Sequence, residues 1–125
     1  MRLKNILIVV ADPDVSKRFY HDLFGLEPVA DSGEVVILTE GLVLQERAAW
    51  QRVLGKEVIS KSHSCELYFE ERDLEAFVRK LERLDVPVRY VSRMTEPGAE
   101  RSFVRFYDPD GTLIEVGTPE RQETP

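Results

Sequence analysis

The chain carries one pattern twice, and that repetition limits what it can fold into. An apolar run from Leu3 to Ala11 leads into Asp12-Pro13-Asp14 and then an amphipathic stretch. Further on, Ser64 to Glu70 leads into Glu71-Arg72-Asp73 and a second amphipathic stretch. Each helical stretch is closed by a Gly- or Pro-marked stop and followed by short apolar runs separated by turn formers. The order is β-α-β-β-β, repeated. One helix covers only one face of a small sheet, so each half must bury its other face against something else. Two curved half-sheets around a shared cup are the expected arrangement, and a cup is a place for a ligand.

The local signals agree with this α+β reading. Asp12 or Asp14 can cap the first helix, with Pro13 near its first position. Val15, Phe19, Leu23 and Phe24 recur at helical spacing as its expected buried stripe, and Gly25 stops it. Leu26 to Val29, Val35 to Leu38 and Leu42 to Glu46 read as three antiparallel strands. Ala48 to Ser62 has no clean period; a short helix or loop linking the halves is expected there, with Trp50 anchored in apolar surroundings. From Ser64 to Glu70 polarity alternates, with Cys65, Leu67 and Phe69 on one face and Glu66, Tyr68 and Glu70 on the other. Leu74, Phe77, Val78, Leu81 and Leu84 form the second helical stripe. Val88 to Val91, Arg101 to Tyr107 and Leu113 to Gly117 are the remaining strands.

Asp108-Pro109-Asp110-Gly111 is a tight turn in which the aspartates can bond nearby amides and Gly111 can take a positive φ. The expected organisation is a single domain, with modules at about 3–46 and 63–117, a linker at 47–62 and a frayed tail at 118–125. Parity places Leu7, Tyr68 and Leu113 toward the cup and Ile6, Ile8, Cys65, Leu67 and Ile114 beneath the helices. A ferredoxin-like β-α-β-β-α-β domain would require the first half to lose a strand.

Composition narrows the partners. A formal charge of -6 opposes a phosphate backbone. The densest basic group, Arg72, Arg79, Lys80, Arg83 and Arg89, is interleaved with acids, as on a solvated helix with i,i+4 ion pairs such as Glu75 with Arg79. Nucleic acid is not an expected partner. No apolar run approaches membrane-spanning length. The single cysteine, Cys65, cannot form an internal disulfide; a reducing cytoplasm is the default setting, and Cys65 reads as a small buried hydrophobe.

Two motifs carry a family resemblance. They are Val10-Ala11-Asp12 with Ser16, Phe19-Tyr20 and Leu23-Phe24-Gly25-Leu26, and the run Phe106-Tyr107-Asp108-Pro109-Asp110-Gly111-Thr112-Leu113-Ile114-Glu115-Val116. With the tandem repeat, the chain resembles the glyoxalase, bleomycin-resistance and extradiol-dioxygenase superfamily, the vicinal oxygen chelate fold. The resemblance implies a divalent metal held by inward-facing side chains near the start and end of each half. The matching positions are Asn5, Gln45 or Glu46, Glu66 and Glu115. Glu46 keeps alternation with Leu42 and Leu44, whereas Gln45 better fits the spacing to Trp50. Only Glu115 is the residue usual at its position.

Imidazole is the stronger ligand for Zn, Ni and Fe, and neither histidine matches a ligand position. Alternation turns His63 away from Glu66, and His21 lies on the first helix as an expected exposed residue. An all-oxygen set would suit Mn or Mg, and iron-dependent ring cleavage is not expected. Without metal, Glu66 and Glu115 are either general acid and base or the partners of an arginine such as Arg101 or Arg105. Leu7, Trp50, Tyr68, Arg101, Phe103 and Leu113 are candidate ligand contacts. The favoured expectation is a small-molecule binding protein of the drug-resistance type, without cofactor, taking a cationic or aromatic ligand as a homodimer. The alternative is a glyoxalase-like lyase, isomerase or epimerase using Mn, Mg, Ni or Zn and passing through an enediolate. A domain whose cup is filled by its own side chains is a third.

Overall fold

The computed structural model describes residues 1–85, 87–94 and 102–119. It contains two compact units, residues 1–60 and 61–125. The first holds β1 (Ile6–Val10), α1 (Pro13–Phe24), β2 (Pro28–Asp31), β3 (Val35–Leu38), β4 (Leu42–Glu46) and α2 (Arg47–Leu54). The second holds β5 (Glu66–Glu70), α3 (Leu74–Glu82), β6 (Tyr90–Met94), β7 (Phe103–Tyr107) and β8 (Leu113–Gly117). The sheet orders are β1-β4-β3-β2 and β5-β8-β7-β6. In each unit the first and last strands run parallel and the other pairings are antiparallel. Parallel neighbours cannot be joined by a hairpin. Here the helix and two further strands make the return. These are two βαβββ modules in one α+β chain, not a ferredoxin-like domain.

Capping aspartates start α1 and α3. Asp12 Oδ1 accepts the amides of Asp14 and Val15, at 3.0 and 3.5 Å, so Asp12 is the first cap rather than Asp14. Asp73 Oδ1 accepts the Ala76 amide at 3.0 Å in the second unit. These bonds satisfy donors that the first helical turn leaves without carbonyl partners. Helix α1 then buries Pro13, Ser16, Tyr20 and Leu23. This corrects the expected stripe: Val15 is 46% exposed, and Phe19 and Phe24 are half-buried. Residues 13, 16, 20 and 23 fall on one helical line, and Val15 lies off it. Tyr20 wins the central position by stacking near Phe19 and Phe24, with ring centroids 5.1 and 5.8 Å away. In α3, Phe77 and Leu81 are buried, with Leu74 and Val78 half-buried, as their spacing indicates; Leu84, also half-buried, lies past the helix end.

Each core lies on one face of its sheet. Ile8, Val10, Val36, Leu38 and Leu44 form the packed face of the first unit. Val104, Phe106, Ile114 and Val116 form that of the second, where Phe106 lies 6.1 Å from Phe77 of α3. Ile6, expected beneath the helix, is 53% exposed at the fraying start of β1. Gly41, φ 82°, sits where an added Cβ would be 2.6 Å from the Lys4 carbonyl oxygen. That backbone approach admits only glycine and presses the lead into β1 against the lead into β4.

Several boundaries move. Strand β2 begins at Pro28 rather than Leu26, and Leu26 is buried. In the stretch expected to hold a short helix or loop, residues 47–54 form the helix α2, which holds Trp50, half-buried, and contacts β1 and β4. Cys65 is exposed, because it precedes β5 instead of joining its alternation. Thr118, expected to fray, donates its amide to the Ser102 carbonyl at 3.1 Å, and the tail from residue 120 lies outside the described residues. Among the described residues no helix is long and apolar enough to cross a membrane.

The final hairpin turns on Asp108, which is 2% exposed. Its Oδ1 accepts the amides of Asp110 and Thr112 at 2.9 and 2.8 Å, as the structural reading of the turn requires. Replacing Asp108 with Ala orphans both donors and is expected to cost about 2–3 kcal/mol, with a smaller loss for Asn, which keeps an acceptor; urea unfolding midpoints measure both.

Helix α1 is tied to its surroundings by charge. Lys17 Nζ lies 2.7 Å from Asp31 Oδ2; this hydrogen bond raises the Lys17 pKa and lowers that of Asp31. His21 lies between two carboxylates, Asp22 at 3.0 Å and Glu27 at 3.3 Å. The Asp22 hydrogen bond first, then the Glu27 charge, raise the His21 pKa above its ordinary value. A raised folded-state pKa stabilises fully below the unfolded value, and that contribution disappears as pH rises through the folded pKa. NMR titration is expected to place His21 above an ordinary histidine, and Glu27→Gln is expected to bring it down.

Candidate binding face of the second unit

Register places the candidate side chains. Paired residues share a face of a sheet, so the face opposite α3 carries Glu66, Leu113 and Tyr107 in one row. The next row carries Tyr68, Glu115 and Arg105, and Phe103 lies opposite Gly117 beyond it. Strand β7 alternates burial as this requires: Val104 and Phe106 are buried, while Phe103, Arg105 and Tyr107 are half-buried. The helix takes the apolar face, leaving a mixed charged and aromatic one.

Arg105 organises this face. Its Nη2 lies 2.5 Å from Glu115 Oε1 and its Nε lies 3.5 Å from Glu66 Oε2. Its guanidinium carbon stands 4.7 Å from the centre of the Phe103 ring. The two contacts are unequal: the Glu115 side chain is 12% exposed, whereas that of Glu66 is 33% exposed. Glu115 is therefore the anchored carboxylate, and Glu66 is the one that solvent or a ligand reaches. Tyr68, 43% exposed, stands beside Glu115.

His63 adds a contact at the edge. It was expected to point away from Glu66 by alternation, but it precedes β5 with φ 58°, so strand parity does not govern it. Its Nε2 lies 2.6 Å from the Tyr107 hydroxyl, and Arg89 stands 5.2 Å over the Tyr107 ring. Tyr107 was not among the candidates; its period-2 relation to Phe103 and Arg105 along β7 was the available signal.

The other candidates separate by unit. Gln45 pairs with Val9 on the sheet face opposite Val10 and Leu44, whereas Glu46 pairs with Val10. Gln45 is buried, and its side-chain amide donates to the backbone carbonyls of Glu46 at 3.2 Å and Glu34 at 3.5 Å. Asn5 precedes β1 and is exposed, and Leu7 is 37% exposed. Asn5, Leu7, Gln45, Glu46 and Trp50 belong to the first unit; Glu66, Tyr68, Phe103, Leu113 and Glu115 belong to the second. Arg101 lies outside the described residues.

A divalent ion does not fit the carboxylates of the second unit as they stand. Arg105 holds both, with its positive charge where a cation would have to draw on them. Among the described residues no group of three or more His, Cys, Asp or Glu is gathered to hold a metal. Replacing Arg105 with Met would strand the nearly buried Glu115 charge. We expect a loss of about 2 kcal/mol, with partial recovery when Glu115→Gln is added, read from denaturant midpoints.

The chain resembles solved structures over nearly its full length. A protein of unknown function from Agrobacterium tumefaciens strain C58 is 29% identical, with 96% of this chain and 95% of that one covered at a TM-score of 0.77. The genomically encoded fosfomycin resistance protein FosX of Listeria monocytogenes shares the fold at 15% identity, covering 99% and 95% at a TM-score of 0.73. A lactoylglutathione lyase from Agrobacterium tumefaciens shares it at 24% identity, covering 94% and 92% at a TM-score of 0.70. No curated protein matches the chain. The model of the glyoxalase-like domain family matches residues 3–120, which contain both βαβββ modules, and the chain belongs to that family.

Proposed function

We infer that this is a small-molecule binding protein of the drug-resistance type, whose ligand is a planar aromatic compound with a basic group. The observation that carries this reading is the unequal sharing of Arg105 between Glu66 and Glu115 beside Tyr68 and Phe103. Glu115 and Arg105 form a held pair. Glu66, at 3.5 Å and more exposed, is free to exchange its weaker contact for a ligand cation without leaving Arg105 unpaired. An aromatic body gains by stacking on Tyr68, and the excess carboxylate selects against anions. FosX, named as a fosfomycin resistance protein, gives the reading a relative of the same fold. The expected homodimer is part of the proposal, since each module has a second sheet face to cover.

Fluorescence titration with 9-aminoacridine tests it. Saturable binding is expected, unchanged by EDTA, and about tenfold weaker in Glu66→Gln, a change of one charge-assisted contact. Absence of saturable binding would defeat the proposal. Binding abolished by EDTA would instead favour the metal-dependent lyase.

A further inference from the structure

The row that carries Glu66 continues across the whole second sheet. Glu66 lies opposite Leu113, and Leu113 opposite Tyr107. Tyr90 pairs with Phe106, and the Tyr107 amide donates to the Arg89 carbonyl at 3.0 Å. Arg89, one residue before β6, therefore stands beside Tyr107 at the far end of the row. On the face opposite α3 the order is carboxylate, aliphatic chain, phenol, guanidinium. Arg105 and Glu115 belong to the next row.

The two ends carry opposite charges, and both are reachable. Glu66 holds only a 3.5 Å contact to Arg105. Arg89 is exposed and among the described residues has no carboxylate partner; its guanidinium carbon stands 5.2 Å from the Tyr107 ring centre. The adjoining acid, Asp108, is engaged inside its own turn by the Asp110 and Thr112 amides. Leu113, half-buried between the ends, is an apolar floor.

Tyr107 is held ready to donate. His63 Nε2 lies 2.6 Å from its hydroxyl, and His63 keeps that place with a left-handed φ of 58°, a conformation costly outside glycine. When Nε2 carries the ring proton, His63 donates to the phenol, and the phenol proton is left for a further acceptor. An anionic oxygen between Tyr107 and Arg89 favours that tautomer.

We propose that the ligand bound at Glu66 is a zwitterion with one aromatic ring. Its ammonium meets Glu66, its ring lies over Leu113, and its carboxylate meets the Tyr107 hydroxyl and Arg89. This rests on the reading of Glu66 as the place of a ligand cation and adds the opposite end of that ligand. Strand spacing sets the length: Tyr107 and Arg89 stand about 10 and 14 Å from Glu66 along the row. Charge-assisted hydrogen bonds of about 2.8 Å at each end leave roughly 4 to 9 Å between the ligand's charges, the span of one substituted benzene ring.

NMR titration of the whole chain with 4-(aminomethyl)benzoate, and with benzylamine, which lacks the carboxylate, tests this. The zwitterion is expected to bind at least about tenfold tighter than benzylamine, with saturable shifts at the Tyr107 and Leu113 amides. In Arg89→Met and in Tyr107→Phe that advantage is expected to fall to about twofold or less. Arg89 is exposed, so its variant decides the question even where loss of the His63 contact disturbs Tyr107→Phe. Equal affinity for the two compounds, or an advantage that survives Arg89→Met, would overturn the proposal. If 9-aminoacridine binds through Glu66 while the zwitterion gains nothing, only the far end of the ligand is wrong. If neither 9-aminoacridine nor benzylamine binds, the Glu66 reading falls together with this one.

Discussion

Parallel pairing between the first and last strand of each βαβββ unit is the constraint on which the rest depends. Strands β1 and β4, like β5 and β8, occupy adjacent places although the whole module separates them in sequence. That pairing sends the helix over one face of the sheet and leaves the other without a helical cover from the same βαβββ unit. It also fixes register. With Tyr68 opposite Glu115 and Arg105 opposite Glu115 from the other side, three strands deliver an aromatic ring, a carboxylate and a guanidinium into one row. A slip of one residue would turn all three toward α3 and bury their charges in the apolar core.

The electrostatics follow from that row. Two carboxylates on neighbouring strands repel, and Arg105 resolves the repulsion by holding both. The geometry is asymmetric because Glu115 lies on the inner strand β8 and Glu66 on the outer strand β5. The inner carboxylate is largely removed from water, where the loss of its partner is costly; the outer one remains wet and exchangeable. The same sheet therefore supplies a fixed ion pair and an available anion. At the start of α3 the acids serve the backbone instead: Asp73 accepts the Ala76 amide and Glu71 accepts the Asp73 amide.

Much of this was legible in the residues. The repeated strand, capping aspartate and amphipathic stripe announced two βαβββ modules, and the turn at Asp108 to Gly111 was readable from side chains that bond their own backbone. Alternation put Glu66 and Tyr68 opposite Leu67 and Phe69. The errors lie where a local pattern met a tertiary choice. Val15 is apolar, yet Tyr20 reaches the centre of the α1 face because its large ring fills more of the interior. Cys65 was read as strand, but the strand begins one residue later. Gln45 and Glu46 were both open, and only the pairing of Val9 and Val10 with β4 separated their faces.

What the sequence determined by itself was whatever rests on neighbours a few residues apart: caps, periodicity, turns and the identity of the acids. These interactions form within one element, so their residue types and spacing suffice. The ion triad was decided by tertiary structure. Arg105 could as well have been Arg101 in the pairing with Glu66 or Glu115. A charged side chain chooses among partners by distance and by how much water remains around it. Both quantities exist only once strands from distant parts of the chain have settled into register.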